Sequence, residues 1–135
     1  MIVAAYSGGQ PWRTMLGSVP PRAHMDNAYL MGELVATYRK HGWELRSVLL
    51  QPATLAEINA QEPQLIPNLA VKEADVDALW FSRPSHNKRE AWELRLLAQT
   101  QYALFEAFEP DETEEERDEV RRETEARLRD YVRKE

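Results

Sequence analysis

The chain has 135 residues, of which 43% are hydrophobic, and it carries a formal net charge of −6 with no cysteine. This length and composition predict one globular domain and exclude disulfides, zinc–thiolate sites and thiol catalysis. The acidic balance argues against direct binding to nucleic acid, which needs Lys and Arg to neutralise phosphates, and favours a partner with a basic surface.

A short strand and a long loop are predicted first. Residues 2–6 form an apolar run that ends before Gly8 and Gly9, as expected for a buried strand. Residues 7–25 mix prolines with apolar side chains, and loops of this length are often functional. We expect this loop to contact a partner protein, although packing on its own core is an open alternative. The expected contact residues are Trp12, Arg13, Met15 and Leu16.

The next stretch predicts an amphipathic helix over residues 26–41 and a strand over residues 44–50. Asp26 can cap the start of the helix, because its carboxylate accepts from backbone N–H groups that lack a helical partner. Gly42 can take the left-handed conformation that ends many helices. This helix and strand form the unit around which the other elements are expected to pack.

A short helix and a third strand follow. Thr54 and Glu57 have the spacing of a capping box and predict a helix that ends near Ala60. Residues 64–75 are ambiguous among strand, helix and loop. Residues 76–82 predict a strand, because an aromatic run precedes a proline.

Two helices are predicted in the C-terminal part, over residues 88–108 and 113–134. The first has a wide apolar face, and the second begins with a capping box formed by Thr113 and Glu116. Ion pairs four residues apart should stabilise the second helix, namely Asp118–Arg122, Glu123–Arg127 and Glu125–Arg129. Its acidic first turn is a further expected contact with a basic partner surface: Glu114, Glu115 and Glu116.

Together these elements predict an α+β domain in residues 1–110, which the charged helix in residues 111–135 extends. Its three-stranded sheet is expected to pack on two helices. The strands are residues 2–6, 44–50 and 76–82, and the helices are residues 26–41 and 88–108.

No catalytic, cofactor or metal motif stands out. The three histidines, His24, His41 and His86, are too far apart for a helical metal pair. Among the many carboxylates, Asp75 and Asp77 are the best candidates for an acid or metal site, because they lie close to Trp80. We therefore expect no cofactor and no metal.

Residues Gly42-Trp43-Glu44-Leu45-Arg46-Ser47-Val48 carry a resemblance to a known family. The segment resembles the Gly-Trp-Glu-Leu-Val-Ser-Val signature of a family of small uncharacterised domains. The resemblance covers residues 2–6, 26–50 and 76–83, and it implies a small α/β sandwich without implying an activity.

The order of strand, turn, helix and strand is also similar to nucleoside deoxyribosyltransferase-like enzymes. The corresponding hypothesis for this chain is a nucleotide or sugar-phosphate enzyme that uses Ser7, Gly8 and Gly9 with Asp75 or Asp77. The downstream catalytic Glu of those enzymes has no counterpart in this chain.

The preferred hypothesis is a non-enzymatic, cytoplasmic protein-binding regulator or inhibitor that docks on a larger protein. A nucleic-acid machine such as RNA polymerase would offer a basic surface to the acidic helix, which would make the chain a transcription regulator. The alternatives are the enzyme described above and a self-assembling structural protein with residues 113–134 as the oligomer seam. No membrane contact is expected.

Overall fold

In the computed structural model, residues 26–66 and 68–134 are described. Over these residues the fold is α+β, with one mixed five-stranded sheet and three α-helices. The helices are α1 (Asn27–Lys40), α2 (Pro52–Gln61) and α3 (Glu114–Lys134). The strands are β1 (Glu44–Leu50), β2 (Ala70–Glu73), β3 (Ala78–Pro84), β4 (Glu90–Leu96) and β5 (Ala103–Phe108). The strand predicted at residues 2–6 lies outside the described residues.

The sheet has the strand order β2-β1-β3-β4-β5. Strands β1 and β2 are parallel, because the connection through α2 returns the chain to the end of the sheet at which β1 began. The other neighbouring strands are antiparallel. Glu44 pairs with Ser82, and Glu90 pairs with Pro84. The start of β1, the end of β3 and the start of β4 therefore lie together at one end of the sheet.

Helices cover both faces of the sheet. Helices α1 and α2 pack on one face, and α3 packs on the other, so the side chains of each strand alternate between two cores. The buried core under α1 and α2 includes Leu30, Met31, Leu34, Val48, Leu50, Ile58, Leu79 and Phe81. The buried core under α3 includes Leu49, Trp80, Trp92, Leu94, Leu104, Phe108 and Leu128.

The prediction of a helix over residues 88–108 is wrong, because this segment forms the β4–β5 hairpin. Trp92, Leu94 and Leu96 alternate along β4 and face the core under α3. The intervening Glu93 and Arg95 are also buried, at 3% and 1% exposure. Trp92, Leu94 and Leu96 alternate with these charged residues in the period-2 pattern of a strand, which the prediction instead took as part of one wide apolar helix face.

Within the described residues the sheet has five strands, whereas the sequence predicts three in all, one of them at residues 2–6. Strand β1 matches its predicted bounds, and β3 starts two residues later than the predicted strand at residues 76–82. Strand β2 lies inside the ambiguous residues 64–75, and all four of its residues are exposed. A short exposed edge strand gives little hydrophobic signal, which explains why the pattern did not identify it.

Helix α3 packs on the sheet, and its predicted internal ion pairs do not form. Glu125 is 6% exposed and accepts hydrogen bonds from Trp80 Nε1 at 2.9 Å and Lys72 Nζ at 3.0 Å. Arg127 pairs with Glu106 of β5 at 2.7 Å. Because its charges contact the sheet, α3 belongs to the domain rather than projecting from it. Across residues 26–66 and 68–134, no helix combines the length and hydropathy needed to cross a membrane.

Candidate functional site

The end of α1 places two side chains at the end of the sheet described above. Gly42 has a φ of +88°, and its N–H donates to the carbonyl of Arg39 at 3.0 Å. The N–H of Trp43 donates to the carbonyl of Tyr38 at 3.0 Å, which completes a Schellman motif. The predicted left-handed Gly42 is confirmed. This helix end brings Arg39 and Trp43 to the start of β1.

A β-bulge in β1 places a second cation there. The register of β1 against β3 skips Arg46 between the pairs made by Leu45 and Ser47. Bulges turn a side chain away from the regular alternation, and they are common next to functional sites. The guanidinium carbon of Arg46 lies 5.8 Å from the centre of the Trp92 ring.

The turn between β3 and β4 contributes a third cation in an unusual backbone conformation. Asn87 and Lys88 both have positive φ, at 58° and 63°, and the N–H of Arg89 donates to the carbonyl of His86 at 3.1 Å. This is the conformation of a type I′ turn, in which the second central position strongly favours Gly. Lys88 occupies that position despite the steric cost.

These elements surround a groove of about 650 Å³ at the end of the sheet. Arg83 lies over the Trp43 ring, with its guanidinium carbon 4.7 Å from the ring centre, and its Nη1 donates to the His41 carbonyl at 2.7 Å. Glu44 and Glu90 also line the groove. The cationic side chains that line it are Arg39, Arg46, Arg83, Lys88 and Arg89. We call this surface the basic groove.

The cations of the basic groove are only partly neutralised. Arg89 pairs with Glu109 at 2.8 Å, and Arg46 makes one long contact of 3.5 Å with the exposed Glu44. Within the described part of the chain, the side chains of Arg39 and Lys88 make no hydrogen bond or ion pair. The groove therefore holds free positive charge on a chain whose formal net charge is −6.

Replacing Lys88 with Gly tests whether a lysine at this positive-φ position destabilises the fold. We expect Lys88→Gly to raise the free energy of unfolding by about 0.5–1 kcal/mol in urea denaturation, because Gly adopts positive φ without a steric penalty. The same variant should bind anions more weakly. Lys88→Ala is the matched control, since it removes the charge and keeps the strain. A Lys88→Gly variant less stable than wild type would contradict this account of the turn.

No known protein family, curated protein or solved structure matches this chain. The resemblance of residues 42–48 to the small-domain signature stays a prediction. In the structure these residues form the end of the α1 cap and most of β1, so they include Trp43 and the bulged Arg46.

Of the site residues predicted from the sequence, the acidic residues Glu114, Glu115 and Glu116 do not line the basic groove. The predicted loop contacts, Trp12, Arg13, Met15 and Leu16, lie outside the described residues. The acidic group forms the first turn of α3, where its members are exposed. Glu116 and Thr113 cap each other's backbone N–H groups, as predicted, and Glu114 pairs with Arg121.

Asp75 and Asp77 both have structural partners. Asp77 accepts hydrogen bonds from the Gln51 backbone N–H at 2.8 Å, the Gln51 amide at 3.0 Å and the Thr54 hydroxyl at 2.8 Å. It thereby caps α2 at the N–H of Gln51, the N-cap residue. The capping box predicted for Thr54 is wrong, because α2 begins at Pro52 and Thr54 lies inside it. Asp75 lies 3.3 Å from Arg129. Within the described residues, no group of three or more His, Asp or Glu side chains could hold a metal ion.

A buried carboxylate lies on the α1 side of the sheet. The hydroxyl of Tyr38 donates a short hydrogen bond to Glu93, which is 3% exposed. Burial raises the pKa of Glu93 above its ordinary value of 4.5, and the Tyr38 hydrogen bond and the nearby Arg95 and Arg83 oppose this rise. Because Glu93 does not line the groove, we interpret it as a core group that links α1 to β4.

Proposed function

We propose that this chain is a non-enzymatic protein-binding regulator that docks on a larger protein through the basic groove. The supporting observation is the convergence of five cationic side chains on one groove of an otherwise acidic chain. Complementary charge steers association and selects partners, so the groove favours an acidic segment of the partner. Docking that covers a working surface of that partner would make the chain an inhibitor.

The groove is a better docking surface than the acidic first turn of α3. Glu114 and Glu116 already pair with Arg121 and Thr113, so a basic partner would have to replace contacts within α3. Within the described residues, the side chains of Arg39 and Lys88 have no ion pair that a partner would have to replace. A basic partner such as RNA polymerase stays a prediction that rests on the acidic helix alone.

Two other functions have weaker support. For the enzyme, Asp75 and Asp77 border a second groove of about 280 Å³, but Asp77 caps α2 and Asp75 pairs with Arg129. For the oligomer seam, the apolar stripe of α3 is occupied, because Leu128 is fully buried against the sheet.

The test is binding of a fluorescein-labelled Glu-Gly repeat peptide, followed by fluorescence anisotropy. We expect Arg39→Ala combined with Lys88→Ala to weaken binding about tenfold, because each cation can make a charge-assisted hydrogen bond with a carboxylate. Raising the salt concentration from about 50 mM to about 300 mM should weaken wild-type binding, since exposed charges are screened.

The matched control is Arg122→Ala combined with Lys134→Ala, which removes the same charge from exposed positions of α3. This control should bind the peptide as wild type does. Equal losses in both double variants would indicate a response to net charge alone. That result, or no binding by wild type at either salt concentration, would contradict the proposal.

A further inference from the structure

The cations of the basic groove come from separate elements. Arg39 is on the last turn of α1, Arg46 is in the β1 bulge, and Lys88 is in the β3–β4 turn. Donors that approach from several sides suit a tetrahedral group with three terminal oxygens. A carboxylate is planar, carries one charge, and is well satisfied by a single guanidinium fork.

Arg83 is held in position without a ligand. Its Nη1 donates to the His41 carbonyl at 2.7 Å, and its guanidinium group lies over the Trp43 ring. An arginine fixed by stacking loses little further side-chain freedom when a ligand binds, and it keeps donors for oxygen atoms. Arg83 therefore presents a pre-positioned guanidinium group to the same groove as the free cations Arg39 and Lys88.

From this geometry we infer that the basic groove binds a phosphorylated side chain of the partner, a phosphoserine or phosphothreonine. This inference rests on the proposed function and names the chemistry of its acidic segment. A phosphate monoester carries a charge of about −1.5 to −2 at pH 7 and accepts more hydrogen bonds than a carboxylate. It can therefore pair with more than one cation of the groove.

Two observations favour a phosphate attached to a protein. The residues that line the groove from Arg83 to Arg89 are exposed, so a group on the surface of another protein can reach it. The rest of the chain is acidic, with 11 acidic and 7 basic residues in positions 111–135, which opposes the extended phosphate backbone of a nucleic acid.

The test compares three fluorescein-labelled peptides that are identical except for phosphoserine, glutamate or serine at the centre, with inorganic phosphate as a fourth probe. We expect the phosphoserine peptide to bind at least about tenfold more tightly than the glutamate peptide and than inorganic phosphate. Serine should bind most weakly. Lys88→Gly, which keeps the turn intact, should reduce the preference for phosphoserine over glutamate, and so should Arg83→Lys, which keeps the charge and removes the fork.

The outcomes separate this inference from the proposed function. Equal affinity for the phosphoserine and glutamate peptides overturns the inference and leaves the groove as a site for acidic segments. Inorganic phosphate that binds as tightly as the phosphoserine peptide also overturns it, because the peptide would then contribute nothing. Failure of all the probes to bind contradicts both proposals.

Discussion

Replacing Asp77 with Ala is expected to lower the free energy of unfolding by about 3 kcal/mol. The carboxylate is 8% exposed and accepts three hydrogen bonds, two from Gln51 and one from Thr54. Its loss would leave the buried Thr54 hydroxyl and the partly buried Gln51 N–H without partners, and an unsatisfied buried group costs about 1–3 kcal/mol. Urea denaturation followed by circular dichroism would measure the change.

Asp75→Ala is the matched control, because it removes a neighbouring carboxylate whose side chain is 62% exposed. Exposed ion pairs contribute about 0–1 kcal/mol, so this variant should remain close to wild type. If Asp77→Ala were as stable as Asp75→Ala, the capping role of Asp77 would be wrong. The enzyme hypothesis, which also uses Asp77, would then regain support.

Replacing Tyr38 with Phe is expected to cost about 2–3 kcal/mol at pH 7. The variant keeps the ring, which stacks on Phe81 at 4.0 Å between ring centres. It removes the hydroxyl that donates to Glu93, so a buried carboxylate loses a donor. Thermal and urea unfolding would both report the loss.

The cost of Tyr38→Phe should depend on pH in a defined direction. Burial raises the pKa of Glu93 above 4.5 in the folded state, so its protonated form is favoured by folding. Its contribution to stability is fully present below the unfolded-state pKa and is lost as pH rises through the folded-state pKa. Removing the Tyr38 hydrogen bond raises that pKa further. The variant should therefore differ most from wild type at pH 8 and least near pH 5.

Glu93→Gln provides the control for this pH dependence. Glutamine keeps an acceptor for the Tyr38 hydroxyl but does not titrate. Stability of this variant should decline less between pH 5 and pH 8 than stability of wild type. The hydrogen bond between Glu57 and Asp26 raises the pKa of Glu57, and it contributes the same pH dependence to the stability of wild type and of Glu93→Gln. A Tyr38→Phe deficit that is constant with pH would contradict the assignment to Glu93.

The sequence pattern does not reveal the basic groove, because the residues that line it come from two distant stretches of the sequence. Residues 39–46 and 83–89 each contain several basic side chains, but each stretch alone resembles an ordinary helix end or turn. Antiparallel pairing of β1 with β3 brings the two stretches together. The prediction of a helix over residues 88–108 also removed the β3–β4 turn, and with it the position of Lys88.

Some of the fold is determined by residues close together in the sequence. Asp26 caps α1, Gly42 ends it, and Thr113 with Glu116 begins α3, as the sequence predicts. Caps and helix ends depend on hydrogen bonds within a few residues, so the local pattern is sufficient. The α+β class follows in the same way, because the sequence pattern predicts an amphipathic helix, α1, followed by a strand, β1.

Only the tertiary structure decided which charges and polar groups meet. Asp77 caps α2 across 26 residues of sequence, and Glu125 of α3 binds Trp80 across 45. A charged side chain pairs with whichever opposite group the packed fold brings near, and burial strengthens that choice over solvated neighbours on the same helix. The sequence alone therefore determined the two ends of α1, the start of α3 and the fold class. The five-stranded sheet and the basic groove depend on contacts between distant residues, which no local pattern encodes.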